Sequence, residues 1–238
     1  MIDVMKKEYV VVLSTVVALL VMAVSSCKRT ANSMNDEPAA VDTTTVAETS
    51  ELDFSVPVNY SGSEPRISDF IEAAISMVDN GEFLGDMSRS WEKYKAGQPL
   101  PHNRSILLDE ENRYMRFDAS AEDDEAFHWS YFIEFFCWDY SDGKHKLLIT
   151  NTVNYDEDGK PKDGQFSGVG FNLFDVETRR MELVSAYSIG FEIDMPDETY
   201  LLVYRLFNKE RIIECECYTP SGIAVRRVAF NGKEFLPL

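Results

Sequence analysis

The connections in the second half of the chain are too short for anything except antiparallel β-structure. From residue 112 onward, apolar and polar residues alternate, and the runs are separated by "SDGK", "DEDGKPKDG", "DVETRR", "FNKE", "TPSG" and "FNGK". Such turns can join hairpins but cannot carry the crossover that a parallel pair needs. The strands read from this pattern are Tyr114–Asp118, Phe127–Tyr140, His145–Tyr155, Gly168–Asp175, Met181–Ile189, Thr199–Phe207, Arg211–Tyr218, Ile223–Phe230 and Glu234–Pro237. An earlier short strand is read near Phe54–Tyr60.

Before the strands, the spacing is helical. Phe70, Ile71, Ala74, Ile75 and Val78 recur at three and four residues behind Ser68, a candidate N-cap, and Asn80-Gly81 closes the segment. A second helix is read over Phe83–Lys95, with Leu84, Met87, Trp91 and Tyr94 on one stripe, and Pro99 and Pro101 bar a third. Two helices followed by a meander predict an α+β class, with N-terminal helices packed on a mainly antiparallel β-meander, a curved sheet or partial barrel. Residues 51–238 suit one such globular domain.

The stretch "FHWSYFIEFFCWDY" has two unlike faces. Phe127, Trp129, Tyr131, Ile133, Phe135 and Cys137 make a plain core face. On the other side, His128 and Glu134 stand among Phe132, Phe136, Trp138 and Tyr140. That second face fits either beneath the helices, the arrangement favoured here, or in an exposed patch for a protein or glycan partner. The candidate patch is Trp138, Tyr140, His128 and Glu134, with Trp138 and Tyr140 expected nearest to solvent.

No catalytic residue is assigned. A turn at Asp142-Gly143 pairs residues whose numbers sum to 285, which sets Cys137 opposite Leu148 and points it away from His145. The thiol–imidazole dyad that their spacing suggests is thereby broken, leaving a buried thiol. Cys215 and Cys217 share one face of a strand, a geometry poor for a bond between them. In an oxidising compartment, either could instead pair with Cys137. "NYDEDGKPKDGQ" starts like a calcium loop with Asn154, Asp156, Asp158 and Gly159, but Gln165 stands where a bidentate Glu is required. It reads as an acidic hairpin turn, and no metal ligand or cofactor is assigned. Glu122–Glu125 reads as a solvated acidic run.

The first residues decide location. Lys6 and Lys7 precede the apolar run Tyr9–Val24, which is short of the roughly 20 residues a spanning helix needs and has the layout of a secretory leader. Val24-Ser25-Ser26-Cys27 resembles the lipobox of bacterial lipoproteins. The resemblance implies cleavage after residue 26 and a diacylglycerol on Cys27, with an N-acyl chain. Multiple acyl chains anchor durably, at about 0.8 kcal/mol per buried CH₂. Lys28, not Asp, follows the lipid site, which by the same resemblance implies the outer membrane, facing the periplasm or the exterior. Residues 27–50 read as a flexible tether rich in Thr, Ser, Ala and Glu.

Removing residues 1–26 takes two acids and two bases, so the formal charge of −18 stays with the mature chain. That excludes nucleic-acid partners, whose phosphates require basic patches. The expected function is a non-catalytic binding or interaction domain, tethered in the cell envelope through Cys27. Two alternatives are an envelope hydrolase with a carboxylate or metal site built from separate loops, and a carrier holding an apolar ligand in a barrel interior.

Overall fold

In a computed structural model, residues 55–77, 82–121, 129–164 and 167–238 are described. The leader, Cys27 and the tether lie outside them, as do Asn80-Gly81, Glu122–Glu125, Phe127, His128 and Gln165. Phe54–Leu238 form one compact unit.

The chain order is β1 (Ser55–Pro57), α1 (Ile67–Met77), α2 (Glu82–Lys95), β2 (Arg104–Asp109), β3 (Tyr114–Ser120), β4 (Ser130–Asp139), β5 (His145–Tyr155), β6 (Pro161–Lys162), β7 (Gly168–Asp175) and β8 (Arg180–Leu183). Then follow β9 (Leu201–Phe207), β10 (Ile212–Thr219), β11 (Gly222–Phe230) and β12 (Phe235–Pro237). Two antiparallel sheets result. The larger runs β1-β8-β7-β5-β4-β3-β2 with β6 also on β5, and the smaller runs β12-β11-β10-β9.

The class is therefore mainly β, which corrects the α+β expectation of helices on a single curved meander or partial barrel. The helices are minor elements of eleven and fourteen residues, and the layer that was expected to be helical is a second sheet. The departure begins at Val184. The strand read over Met181–Ile189 stops at Leu183, because Ser185 and Ser188 close a side-chain turn on each other's main chain. Tyr187–Ile189 then forms a 3-10 turn, capped by Gly190 at φ 69°. A left-handed residue costs glycine nothing, so the direction breaks there. The chain crosses to begin a new sheet instead of extending the first.

Both faces of the large sheet are buried, each in its own core. Met115, Phe117, Ile133, Phe135 and Cys137 belong to one apolar cluster with Phe70 and Ile71 of α1 and Met87 and Trp91 of α2. The other face carries Phe136, Trp138, Leu147, Ile149 and Phe171, clustered with Tyr204, Ile213, Cys215, Val228 and Phe230 of the smaller sheet. The aromatic second face of β4 is thus covered by strands, not by helices. Ile133, Phe135 and Cys137 of the other face are buried within the first cluster, as side chains of a packed core.

Local signals set most strand ends. The β4–β5 hairpin pairs Cys137 with Leu148, as the Asp142-Gly143 turn dictates, and Gly143 takes φ 68°. Asp142 accepts the N–H groups of Lys144 and His145, closing that turn. The start of α1 is different. Ser68 lies inside the helix, and the free N–H of Ile67 is met from afar by the Glu110 carboxylate at 3.0 Å. Four unsatisfied donors at a helix start need such partners, and here one comes from the β2–β3 turn.

Candidate functional site

One row of residues interrupts the apolar contact face between the sheets. Register across β3, β4 and β5 sets Arg116 beside Glu134, and Glu134 beside Asn151. The flanking rows are Tyr114, Phe136 and Ile149 on one side, and Asp118, Phe132 and Val153 on the other, so that apolar side chains border Glu134 and Asn151. Burying polar groups there costs free energy unless they are bonded. Glu134 is met on every side. The Tyr114 hydroxyl donates to Oε1 at 2.9 Å, Asn151 Nδ2 donates to Oε2 at 3.2 Å, and Arg116 Nη1 lies 3.5 Å from Oε1. Asn151 Nδ2 also reaches the main-chain oxygen of Tyr204 at 3.1 Å, which ties the row to the smaller sheet. Asn151 Oδ1 is buried with no partner.

At its outer end the row opens into a cavity of about 430 Å³ where β2, β3, β4 and β5 end together. Arg116, Asp118, Ser130, Tyr131, Phe132 and Tyr155 form much of its wall. Arg116 and Asp118 are two apart on "YMRFDAS", so their side chains share a face and meet. Arg116 Nη2 donates to Asp118 Oδ1 at 2.6 Å, and Nε to both carboxylate oxygens at 2.9 and 3.0 Å. Below the pair, the guanidinium lies 4.0 Å over the Phe132 ring, within cation–π range. The fork is thus fixed from two directions. Arg104, also in the wall, is held by Asp86 at 2.6 Å and lies 5.3 Å over Trp129. Asn103 donates to the Ser120 oxygen, while its own buried Oδ1 has no partner.

The electrostatics hold these groups in their resting forms. Bonding to Asp118 raises the Arg116 guanidinium further above its ordinary value. Burial, then the charge of Glu134, raises the Tyr114 phenol. Burial pushes the Tyr131 phenol up to about 12, and raises Tyr155 as well. At neutral pH the cavity therefore offers hydroxyls, a fixed cation and a fixed carboxylate, with no phenolate. Among the described residues, no three His, Cys, Asp or Glu side chains converge as a metal site.

The residues singled out from sequence fall elsewhere. Cys27 and His128 lie outside the described residues. Trp138, expected to reach solvent, is only 2% exposed; its indole donates to Asn208 Oδ1 at 2.6 Å. Tyr140 is half-buried, its ring edge-on to Phe230 at 5.1 Å. Of the three described residues of the expected patch, Glu134 joins a polar site, as the centre of the buried row. The three described cysteines are free and buried. Cys137 sits in the first core, where burial pushes its thiol up to about 12, while Cys215 and Cys217 lie 3.8 Å apart, sulfur to sulfur, in the second.

Asp156, the calcium-like position, accepts the N–H groups of Asp158 and Lys160 and so closes its own turn. Four charges around Cys137 form a further cluster. Asp139 takes Arg113 and Lys146 at 2.6 Å each, and Glu64 lies 3.2 and 3.4 Å from the same two bases. That cluster ties the β1–α1 connection to the β4–β5 hairpin.

Sequence reading missed Arg116, Asp118 and Asn151. The alternation in "YMRFDAS" does show a polar face. That this face lies half under a second sheet, in line with Glu134, is invisible until three strands are paired.

Comparison with known proteins finds no family model, no curated protein and no solved structure that matches the chain.

Proposed function

We propose that this protein is a lipid-anchored component of the cell envelope whose domain binds a glycan segment without transforming it, at the Arg116–Asp118 cavity. One observation carries the reading. A rigid guanidinium–carboxylate fork stands among aromatic rings and serine hydroxyls in a concavity of about 430 Å³. Sites of some 300–1,000 Å³, with a few fixed polar groups among aromatic faces, suit small ligands. Planar ion pairs beside rings suit sugar hydroxyls, which both donate and accept.

Binding without chemistry is supported by the state of the reactive groups. Asp118 and Glu134, the carboxylates of the site, both contact Arg116, which holds them as fixed hydrogen-bonding partners. The buried thiols and phenols are pushed toward their neutral forms. The anchor rests on the Val24–Cys27 resemblance.

A glycan array probed with the full chain in detergent, followed by titration of the hits, tests the binding. Arg116→Ala should weaken any hit by about tenfold or more, as loss of a charge-assisted hydrogen-bonding group does. An array without hits, or glycan fragments appearing during incubation, would reject the reading. Cys27→Ala should move the protein from the membrane fraction to the soluble one; unchanged fractionation would reject the anchor alone.

A further inference from the structure

The outward face of the smaller sheet sets exposed apolar side chains around two ion pairs, Arg205–Glu216 and Arg227–Glu214, where the solvent side of an antiparallel sheet is ordinarily polar. Register places Phe207, Ile212, Ile223, Val225, Ala229 and Leu236 on that face, together with Arg205, Glu214, Glu216, Tyr218 and Arg227. Phe207, Ile223, Val225 and Leu236 are exposed, and so is Leu238, whose N–H donates to the Arg227 oxygen. Five of the nine exposed large apolar or aromatic side chains among the described residues thus gather here. Concentration of that kind marks interaction surfaces.

The same strand is an open edge. On one side, β10 pairs β11 from Gly222 to Ala229. On the other, β12 pairs only Val228–Phe230, and Leu238 extends the ladder to Arg227. No strand among the described residues pairs Gly222–Arg226 on that side. Hydrogen-bonding direction alternates along an antiparallel strand. Since the Arg227 oxygen faces β12, the main-chain groups of Val225 and Ile223 face the same open side. The Val225 oxygen is met by the guanidinium of Arg226 at 3.1 Å. Neither Pro nor Lys, which ordinarily blunt an edge, stands in Gly222–Arg226.

The surroundings choose the occupant. A groove of about 940 Å³ has Val225, Arg226, Pro237 and Leu238 in its wall, with the acids Glu192, Asp194 and Glu210. Among the described residues, none of these three acids has an ion-pair partner. The two bases present are already engaged: Arg227 with Glu214 at 2.6 Å, and Arg226 with the main-chain oxygens of Asp194 and Val225. An acidic rim on a chain of charge −18 repels a second copy and anionic lipid alike.

We propose that Gly222–Arg226 of β11 binds a basic, extended segment of another protein by strand addition. The backbone of the segment pairs with Ile223 and Val225. Its alternate apolar side chains lie on the Val225–Leu236 face, and its Lys or Arg residues lie against Glu192, Asp194 and Glu210.

The test titrates the full chain, in detergent, into a fluorescent peptide of about nine residues with alternating Val and Lys. Saturable binding is expected. A peptide with Glu for Lys, and a Val/Lys peptide N-methylated at alternate residues, should each bind at least about tenfold more weakly, since one lacks the charge and the other the donors. Val225→Pro removes an N–H that faces the open edge and leaves the β10 ladder intact, so it should weaken binding comparably with an unchanged circular dichroism spectrum. The N-methyl arm decides the matter even where that variant fails to fold. Absence of saturable binding, or affinity unaffected by N-methylation, overturns the proposal. So does stronger binding of Cys27→Ala protein to phosphatidylcholine vesicles containing phosphatidylglycerol than to the peptide, which would make the face a lipid-docking surface.

Discussion

Trp138 separates a structural role from a binding role by its energetics. The residue is 2% exposed, it stacks on Phe230 with ring centroids 5.9 Å apart, and it meets Phe235 at 6.2 Å. Trp138→Ala removes this packing and leaves a cavity in the core between the sheets, at a cost of about 3–5 kcal/mol. Trp138→Phe keeps a ring but removes the donor to Asn208 Oδ1, at a cost of about 1–3 kcal/mol. A Trp facing solvent would give values within about 0.5 kcal/mol of zero for either change. Urea unfolding followed by far-UV circular dichroism reads the difference. With a slope of roughly 2–3 kcal/mol per molar for a domain of this size, Trp138→Ala should lower the midpoint by about 1–2 M, and Trp138→Phe by about 0.5–1 M. If both variants unfold within about 0.2 M of the parent, Trp138 is not the core residue described here, and the placement of the smaller sheet over β4 fails with it.

Other outcomes follow from the polar groups. Asp142 is lowered to about 2, first by its bond to the His145 ring and next by the N–H of Lys144. Its folded value lies below the unfolded one, so its contribution is whole above pH 4 or so and disappears as the pH falls toward 2. Asp142→Asn should flatten stability across that window in acid titrations, and an unchanged slope would count against the Asp142–His145 contact. Cys137, Cys215 and Cys217 should ignore a thiol reagent in native Cys27→Ala protein and react stoichiometrically in denaturant. Fast native labelling of even one of them would contradict the burial. The Glu214–Arg227 pair should show a coupling below about 1 kcal/mol in a double-mutant cycle, because the Arg227 side chain is 58% exposed; a larger value would mean the pair is shielded.

The readable parts of the fold are those that a turn decides. Asp142-Gly143 places Cys137 against Leu148 and separates Cys137 from His145, and that register is found. Gly168–Asp175 and His145–Tyr155 have the limits that the alternation gives. β2 was not legible. Its "RSILLD" stands behind two prolines with Leu107 exposed, and it is a strand because β3 pairs with it from Arg104 to Asp109. The helical N-cap was misread for a similar reason, since Glu110 comes from 43 residues away.

By itself, the sequence determined the strand count after β3 nearly to the last strand, the antiparallel sense, the hairpin registers, and the acidic charge that limits partners. These are local quantities: a turn of two to four residues fixes a register, and alternation fixes a face. Only the tertiary structure decided which layer covers which face. The aromatic side of β4 buries equally well against helices or strands, so its pattern could not choose, and the break at Ser185–Gly190 that frees β9–β12 to form the second sheet made the choice. The Arg116–Glu134–Asn151 row came from the same source. Its members are 18 and 17 residues apart in the chain, and they meet because pairing of three strands brings them side by side beneath that sheet.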